Sequence, residues 1–338
     1  MINKRTILHN CTAKLLLFAT VVLLICAFAG CSVSHTSPIS KTDFALNTVV
    51  TITVYDEDEA ALAEECIAMC RDYERIFSRT NVSSELAQLN IQGSARCSDD
   101  LLHVINTALH YCEVSGGRFD ITTGKLSDMY KFATEEPAVP SASDIEAELA
   151  HVGYKNIKVT GNIVTLGDPL AEADLGAIAK GYIADRLKDY LVENGVEHAI
   201  INLGGNVLCV GGRPDGNPFT VDIQYPFKDQ SEKIATLSID DLSVVTSGIY
   251  ERCFEADGRL YHHILDPATG YPYDNGLVSV SVVGPCSEDC DALSTTLFSM
   301  GLDEGLALID SLPDYSAVFI TEDLQLHYSE GFDALLKK

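Results

Sequence analysis

The sequence predicts an α+β fold with mixed and antiparallel sheets packed against helices. Three observations lead there. Residues 198–284 consist mostly of short β-branched and aromatic runs parted by turn residues, whereas the longer apolar-periodic segments on either side fall at helical spacing. Strands and helices therefore come in blocks, without the strict alternation of a doubly wound parallel sheet. With 338 residues, 46% of them hydrophobic, and 24 Gly against 11 Pro, the chain has apolar material for one large core or two modest ones.

Residues 1–14 carry Lys4, Arg5 and Lys14 and no acid, and an apolar run from Leu15 to Gly30 ends in small residues before Cys31. That order is a signal peptide. A single transmembrane anchor is the alternative, since the run is not far short of the roughly 20 residues that span a bilayer. The segment Ala27-Phe28-Ala29-Gly30-Cys31 resembles a bacterial lipobox, whose cysteine is lipidated after cleavage, and this favours a lipoprotein. The expected organisation is a signal peptide over 1–30, a Ser-rich flexible tether over 31–42 after a lipidated Cys31, and one domain over 43–338. Multiple acyl chains, at about 0.8 kcal/mol per buried CH₂, would hold it on the extracytoplasmic face of the cell membrane without embedding it.

Acidic residues number 49 and basic ones 23, a formal charge of −26, and the signal segment removes only basic residues from the balance. Nucleic acid is therefore excluded as a partner. A dianionic cofactor would also be repelled at long range, but salt screens over roughly 8 Å, so a site for one requires its own local cation. Of 11 cysteines, Cys11 and Cys26 leave with the signal and Cys31 takes the lipid. The even remainder permits disulfides, although Cys66 and Cys70 stand at helical i, i+4 spacing. Cys286 and Cys290 have no second pair at metal-ligand spacing and read as thiols or a local bridge, not zinc.

In chain order, Thr48 to Tyr55 (TVVTITVY) reads as a strand, and Asp58 to Phe77 as a helix with Leu62, Cys66, Met69, Tyr73 and Ile76 on one face. A helix over about Asp99–Val114 follows, then a turn at Ser115-Gly116-Gly117. Lys155 to Leu166 predicts a hairpin turning at Gly161-Asn162. Asp174 is expected to cap a helix from about Gly176 to Glu193 that Gly195 ends. Then come strands HAIINL, FTVDIQY, ATLSI, a pair hinged at Asp257-Gly258, and LVSVSVV. Helices over about Asp289–Met300 and Asp303–Leu312 and a strand at Ala317–Thr321 close the chain.

Four motifs can carry chemistry, and each also has an ordinary reading. Asp174-Leu-Gly-Ala177-Ile-Ala-Lys180-Gly181 is a capped helix start, or an anion site with Lys180 as its cation. Asn202-Leu-Gly204-Gly205-Asn206 is a tight β-connection, or a place where a cofactor meets bare backbone. In Tyr261-His262-His263-Ile264-Leu265-Asp266-Pro267, strand alternation sends the two histidines to opposite faces, so they do not share a metal. A histidine there is a structural hydrogen-bonder or a base near neutral pH. Asp291-Ala-Leu-Ser294-Thr295 offers two oxygens from one helical face, a donor set suited to Mg²⁺, or is a first-turn acid with a polar neighbour.

Taken together, these motifs resemble the FAD:protein FMN transferase (ApbE) family over about residues 43–338. The matching blocks, in family order, are Phe77-Ser78 with Ser84-Glu85-Leu86 and Leu89-Asn90; Gly117-Arg-Phe119-Asp120-Ile-Thr122; the Asp174 and Asn202 blocks above; Thr246-Ser247-Gly248 with Tyr250-Glu251-Arg252; His263 to Pro267 with Thr269-Gly270; and Asp291 to Thr295.

The resemblance implies an ApbE-like, T-fold-related domain. It implies Mg²⁺ held by the Ala177 carbonyl, Asp291 and Thr295, and FAD, as substrate, against Leu46, Phe119, Asp120, Asp174, Lys180 and Ile264. His263 matches the family's proposed base. The implied reaction is attack by a Ser or Thr hydroxyl of an exported flavoprotein, at a Ser/Thr-Gly-Ala-Thr-like motif, on the FMN phosphorus of FAD, with AMP leaving. Water in place of the hydroxyl would make the chain a Mg²⁺-dependent FAD pyrophosphatase, and a flavin-binding lipoprotein would need neither base nor metal. The chain departs from the family twice: Leu46-Asn47-Thr48 replaces the usual Met-Gly-Thr, and Thr80 stands where some members have a flavin-stacking aromatic.

Overall fold

The computed structural model describes residues 37–56, 59–132, 134, 136–228 and 232–337. The expected signal peptide, Cys31 and most of the expected tether fall outside the described residues. Among the described residues, no helix is long and apolar enough to cross a membrane.

Strands β1 (Ile39–Ala45) and β2 (Thr48–Val54) form an antiparallel hairpin, in register from Ile39 opposite Val54 to Ala45 opposite Thr48. The tether expected to reach residue 42 therefore ends earlier, because Ile39 to Thr42 are strand. The sequence hides β1 because its inward positions include Lys41 and Asp43, which pair with Glu64 and Arg71. Those partners lie on α1 (Ala60–Phe77), which buries Ala63, Cys66, Ile67, Cys70 and Phe77. Inward charges on an edge strand are a known device against edge-to-edge association.

Next come α2 (Glu85–Gln92), β3 (Ser94–Arg96) and α3 (Asp99–Val114), the two helices started by the Ser84 and Ser98 hydroxyls, which accept from Ala87 and Leu101 N–H. Short helices α4 (Gly124–Tyr130) and α5 (Ala142–Leu149) follow. The expected hairpin is β4 (Ile157–Thr160) and β5 (Ile163–Leu166), which β3 extends to three strands. Helix α6 (Ala179–Glu193) begins three residues later than expected and ends, as expected, at Gly195, whose φ is 89°.

The remaining strands are β6 (Ala199–Leu203), β7 (Asn206–Val210), β8 (Phe219–Gln224), β9 (Lys233–Ile239), β10 (Ser243–Gly248), β11 (Cys253–Ala256), β12 (Arg259–His262) and β13 (Leu277–Gly284). After them come α7 (Ser287–Met300), α8 (Leu302–Ile309), β14 (Ser316–Thr321) and β15 (Leu326–Tyr328). An eight-stranded sheet runs β1-β2-β6-β7-β10-β13-β14-β15, antiparallel at every pairing.

Helices α1, α6, α7 and α8 cover one face of this sheet, over the largest core cluster. The β8-β9 hairpin and the short turn Phe332–Leu335 cover the other, burying Phe219, Leu237 and Phe332 against Val244, Val283 and Val318. Strand β13 is consequently buried along its whole length, which is why LVSVSVV reads as a continuous strand with no polar side exposed. A third cluster of Leu126, Tyr130, Ile145 and Leu265 fastens α4 and α5 to the loop after β12. The eight cysteines of the described residues are free thiols.

Candidate active site

The start of α6 is irregular in a way that creates a ligand. Ile178, at φ −148° and ψ −32°, breaks the helical run just before Ala179. A regular helix would send the Gly181 N–H to the Ala177 carbonyl four residues back. Here it goes to Asp291 Oδ2 on α7, at 2.9 Å. Among the described residues, the Ala177 carbonyl then receives no hydrogen bond. The two helices come this close because residue 181 is glycine: a Cβ there would lie 2.2 Å from the Ser287 carbonyl oxygen.

Asp291 is buried at 4% exposure, and burial raises its pKa against the opposing pull of Lys180 and the Gly181 N–H. Lys180 Nζ lies 3.8 Å from Asp291 Oδ2 and donates to the Gly176 carbonyl at 3.0 Å. One helical turn beyond Asp291, Thr295 is half-buried between buried neighbours, and its hydroxyl is 2.8 Å from the Ser247 hydroxyl at the end of β10. A carboxylate, a hydroxyl and a released carbonyl, with an ammonium beside them, form a hard-oxygen donor set. Mg²⁺ is usually held by one or two carboxylates, with water and substrate phosphate completing its shell, so the residues fit that ion. Among the described residues no cluster of three or more His, Cys, Asp or Glu side chains offers another metal site.

From Ser247 the chain turns through Tyr250 to Arg252, whose carbonyl accepts both the backbone N–H of His263, at 3.1 Å, and its ring Nδ1–H, at 3.3 Å. A carbonyl only accepts, so the proton sits on Nδ1 and Nε2 keeps its lone pair. Burial, with the Arg252 and His262 charges adding to it, lowers the pKa of His263 to about 3. The ring is thus neutral at neutral pH. His262 faces the other way, as alternation predicts: it is buried, its Nε2–H donates to the Tyr273 carbonyl at 3.0 Å, and burial lowers its pKa to about 4.

The expected FAD residues divide into two groups. Asp174 does not cap a helix. Its Oδ1 accepts the Gly176 N–H at 2.8 Å, closing a turn ahead of α6, and its own N–H donates to the Ile121 carbonyl at 2.7 Å. That bond joins the Phe119-Asp120-Ile121 segment to the Lys180 corner. Asp120 has both oxygens engaged, by Thr122 N–H and hydroxyl and by Tyr154 N–H, and burial raises its pKa. Phe119 and Ile264 are buried in the main core. Leu46 packs against the same core that holds Phe119 and Ile264: with Asn47 it forms the β1-β2 turn at φ 55° and 57°, and its N–H donates to Glu74 of α1.

The Gly204-Gly205 pair is the two-residue turn of the β6-β7 hairpin. A Cβ on Gly204 would meet the Thr48 side chain at 2.1 Å, whereas Gly205 faces open space. The close approach is therefore between two turns of the protein. Sequence reasoning missed Arg79, whose guanidinium binds Asp128, Glu172 and Asp174. Its one signal was a basic residue inside the Phe77–Glu85 block of a chain poor in them.

The profile of the ApbE family matches residues 46–319. A FAD:protein FMN transferase of Klebsiella pneumoniae (strain 342) is 38% identical over 279 residues, 81% of this chain and 86% of its own length. One from Treponema pallidum (strain Nichols) is 32% identical and covers 92% of each chain. Among solved structures, the ApbE protein of Thermotoga maritima superposes with a TM-score of 0.82 at 30% identity, covering 89% of this chain and all of its own. The flavin transferase ApbE of Vibrio cholerae gives 0.80 at 27% identity, over 89% of this chain and 99% of its own.

Proposed function

The chain belongs to the ApbE family, and from that footing we propose that it is an FAD:protein FMN transferase using Mg²⁺, which moves FMN from FAD to a Ser or Thr hydroxyl of an exported flavoprotein. The observation that carries the reading is the Ala177 carbonyl, released when Gly181 bonds Asp291 instead. Ala177, Asp291 and Thr295 would hold Mg²⁺, which when bound would offset charge on the phosphate oxygens.

Lys180 supplies the local cation that so acidic a chain needs for a dianionic substrate. Phe119, Asp120, Asp174, Ile264 and the Leu46 turn hold FAD. The acceptor oxygen bonds to the FMN phosphorus as the bond to AMP breaks, and the hydroxyl proton passes to Nε2 of His263, the nitrogen left free by the Arg252 carbonyl. Acceptors are membrane redox subunits or secreted reductases presenting a Ser/Thr-Gly-Ala-Thr-like motif.

Incubation with FAD, Mg²⁺ and a candidate acceptor, followed by intact mass, tests this. The acceptor should gain the mass of FMN while AMP accumulates. AMP without flavin on any acceptor would make the enzyme a pyrophosphatase, and no AMP at all would leave a binding protein. The same reading anchors the enzyme outside the cell membrane through Cys31, so Cys31→Ser should shift it out of the membrane fraction. An unlipidated mature chain beginning elsewhere would overturn the anchor.

A further inference from the structure

Arg79 follows the end of α1 with its side chain only 14% exposed, and its guanidinium binds three carboxylates. Nη1 and Nη2 fork onto the two oxygens of Asp128 at 2.6 Å each, Nη1 also reaches Glu172 at 2.6 Å, and Nε donates to Asp174 Oδ2 at 3.0 Å. Only a planar guanidinium can meet three acids in these directions; an ammonium is a point charge without the fork.

Asp174 then hands the restraint on. Its second oxygen holds the Gly176 N–H, and the next residue is Ala177, whose carbonyl receives no hydrogen bond among the described residues. The contact is closed from above by α4: a Cβ on Gly124 would lie 3.0 Å from Arg79 Cδ and 3.3 Å from Asp174 Cβ. Asp128, 58% exposed, anchors the outer side of the guanidinium, whereas the 33% exposed Asp174 faces the site.

We propose that Arg79 is a positioning residue for the metal corner, acting through Asp174 to fix the turn that presents the Ala177 carbonyl. The inference rests on the Mg²⁺ reading above and extends it to a residue outside the donor set.

The test uses the whole chain with Mn²⁺ as the probe ion, its binding followed by electron paramagnetic resonance and that of FAD by fluorescence quenching. Arg79→Gln should weaken Mn²⁺ by about tenfold or more, since the turn loses its restraint, even though the uncovered carboxylates add negative charge nearby. Asp128→Asn, which leaves the Arg79–Asp174 bond in place, should stay within about twofold. Arg79→Lys should recover thermal stability relative to Arg79→Gln but not metal affinity, a split that a merely structural ion pair would not give. If Arg79→Gln does not fold, Arg79→Lys alone decides, and wild-type Mn²⁺ affinity in it overturns the proposal. A folded Arg79→Gln with unchanged affinity, or an equal loss in Asp128→Asn, also overturns it. Wild-type protein that binds no Mn²⁺ would instead sink the metal reading itself, and this proposal with it.

Discussion

Asp291 Oδ2 accepts the backbone N–H of Gly181 at 2.9 Å, so one carboxylate both joins α6 to α7 and releases the carbonyl of Ala177. Gly181→Ala should break this arrangement at its source. The added methyl would sit 2.2 Å from the Ser287 carbonyl oxygen and 2.7 Å from Glu288 Cα, both backbone atoms that cannot swing aside. Overpacking of this kind costs about 1–3 kcal/mol, and a backbone clash belongs at the upper end. A lowered unfolding midpoint together with weakened Mn²⁺ binding is the expected result; a variant with wild-type stability would show that the helices have room to separate.

The donor set leads to a graded series. Asp291→Ala removes the one carboxylate of the corner and should lower transfer on the order of 10²-fold, because charge compensation at the phosphate is lost. Thr295→Ala removes a neutral oxygen and should cost less, with Thr295→Ser restoring most of it, since the hydroxyl is what Ser247 orients. Steady-state transfer assays over a Mg²⁺ titration check the order. Wild-type turnover unchanged by EDTA would count against the whole assignment.

The parts that sequence revealed and the parts it hid differ in physical kind. Strand β13 and helix α1 were legible because burial on two faces, or on one helical stripe, writes a regular apolar pattern. Strand β1 was not, because charged residues at its inward positions are satisfied by α1, a tertiary fact. Strands β7 and β10 are less legible because β7 starts inside the Asn202–Asn206 turn motif and β10 ends in Thr246-Ser247-Gly248, so turn-type residues mask their edges. At the site, the i, i+4 pair Asp291 and Thr295 and the opposed histidines followed from local periodicity alone. The displaced bond of Gly181 and the three-acid clamp on Arg79 join residues 49 to 110 positions apart, and no local pattern encodes them.

His262 gives a pH prediction whose sign is fixed by its burial. Its pKa is about 4 in the folded chain against an ordinary value of 6.5. As pH falls below 6.5 the unfolded chain takes up a proton that the folded chain refuses until about 4. Stability is therefore lost across that window, with a slope approaching about 1.4 kcal/mol per pH unit from this residue. His262→Gln keeps an N–H for the Tyr273 carbonyl but does not titrate, so its stability should fall less steeply than wild type between pH 6 and about 4. Parallel denaturant melts across that range would show the difference, and superimposable slopes would exclude His262 as the source.

His263→Ala should retain FAD yet lose most FMN transfer, because the imidazole is assigned to the acceptor's proton and not to the cofactor's charge. General-base assistance contributes about 10² to 10⁴ in rate, and a ring whose pKa burial lowers to about 3 belongs at the lower end, about 10² or roughly 3 kcal/mol at the barrier. FAD affinity should move far less, since Lys180 and the turn at Asp174 remain in place. With a pKa of about 3 in the free protein, His263 is already neutral throughout the neutral range, so its protonation should add no falling limb to kcat/KM between pH 8 and about 5. His262→Ala is the control from the opposite face: it leaves the Tyr273 carbonyl without its donor and should act on stability, with transfer by the folded fraction within about tenfold of wild type. Fluorescence quenching for affinity and in-gel flavin fluorescence for transfer separate the two effects. Near-normal transfer by His263→Ala would remove the base from this residue.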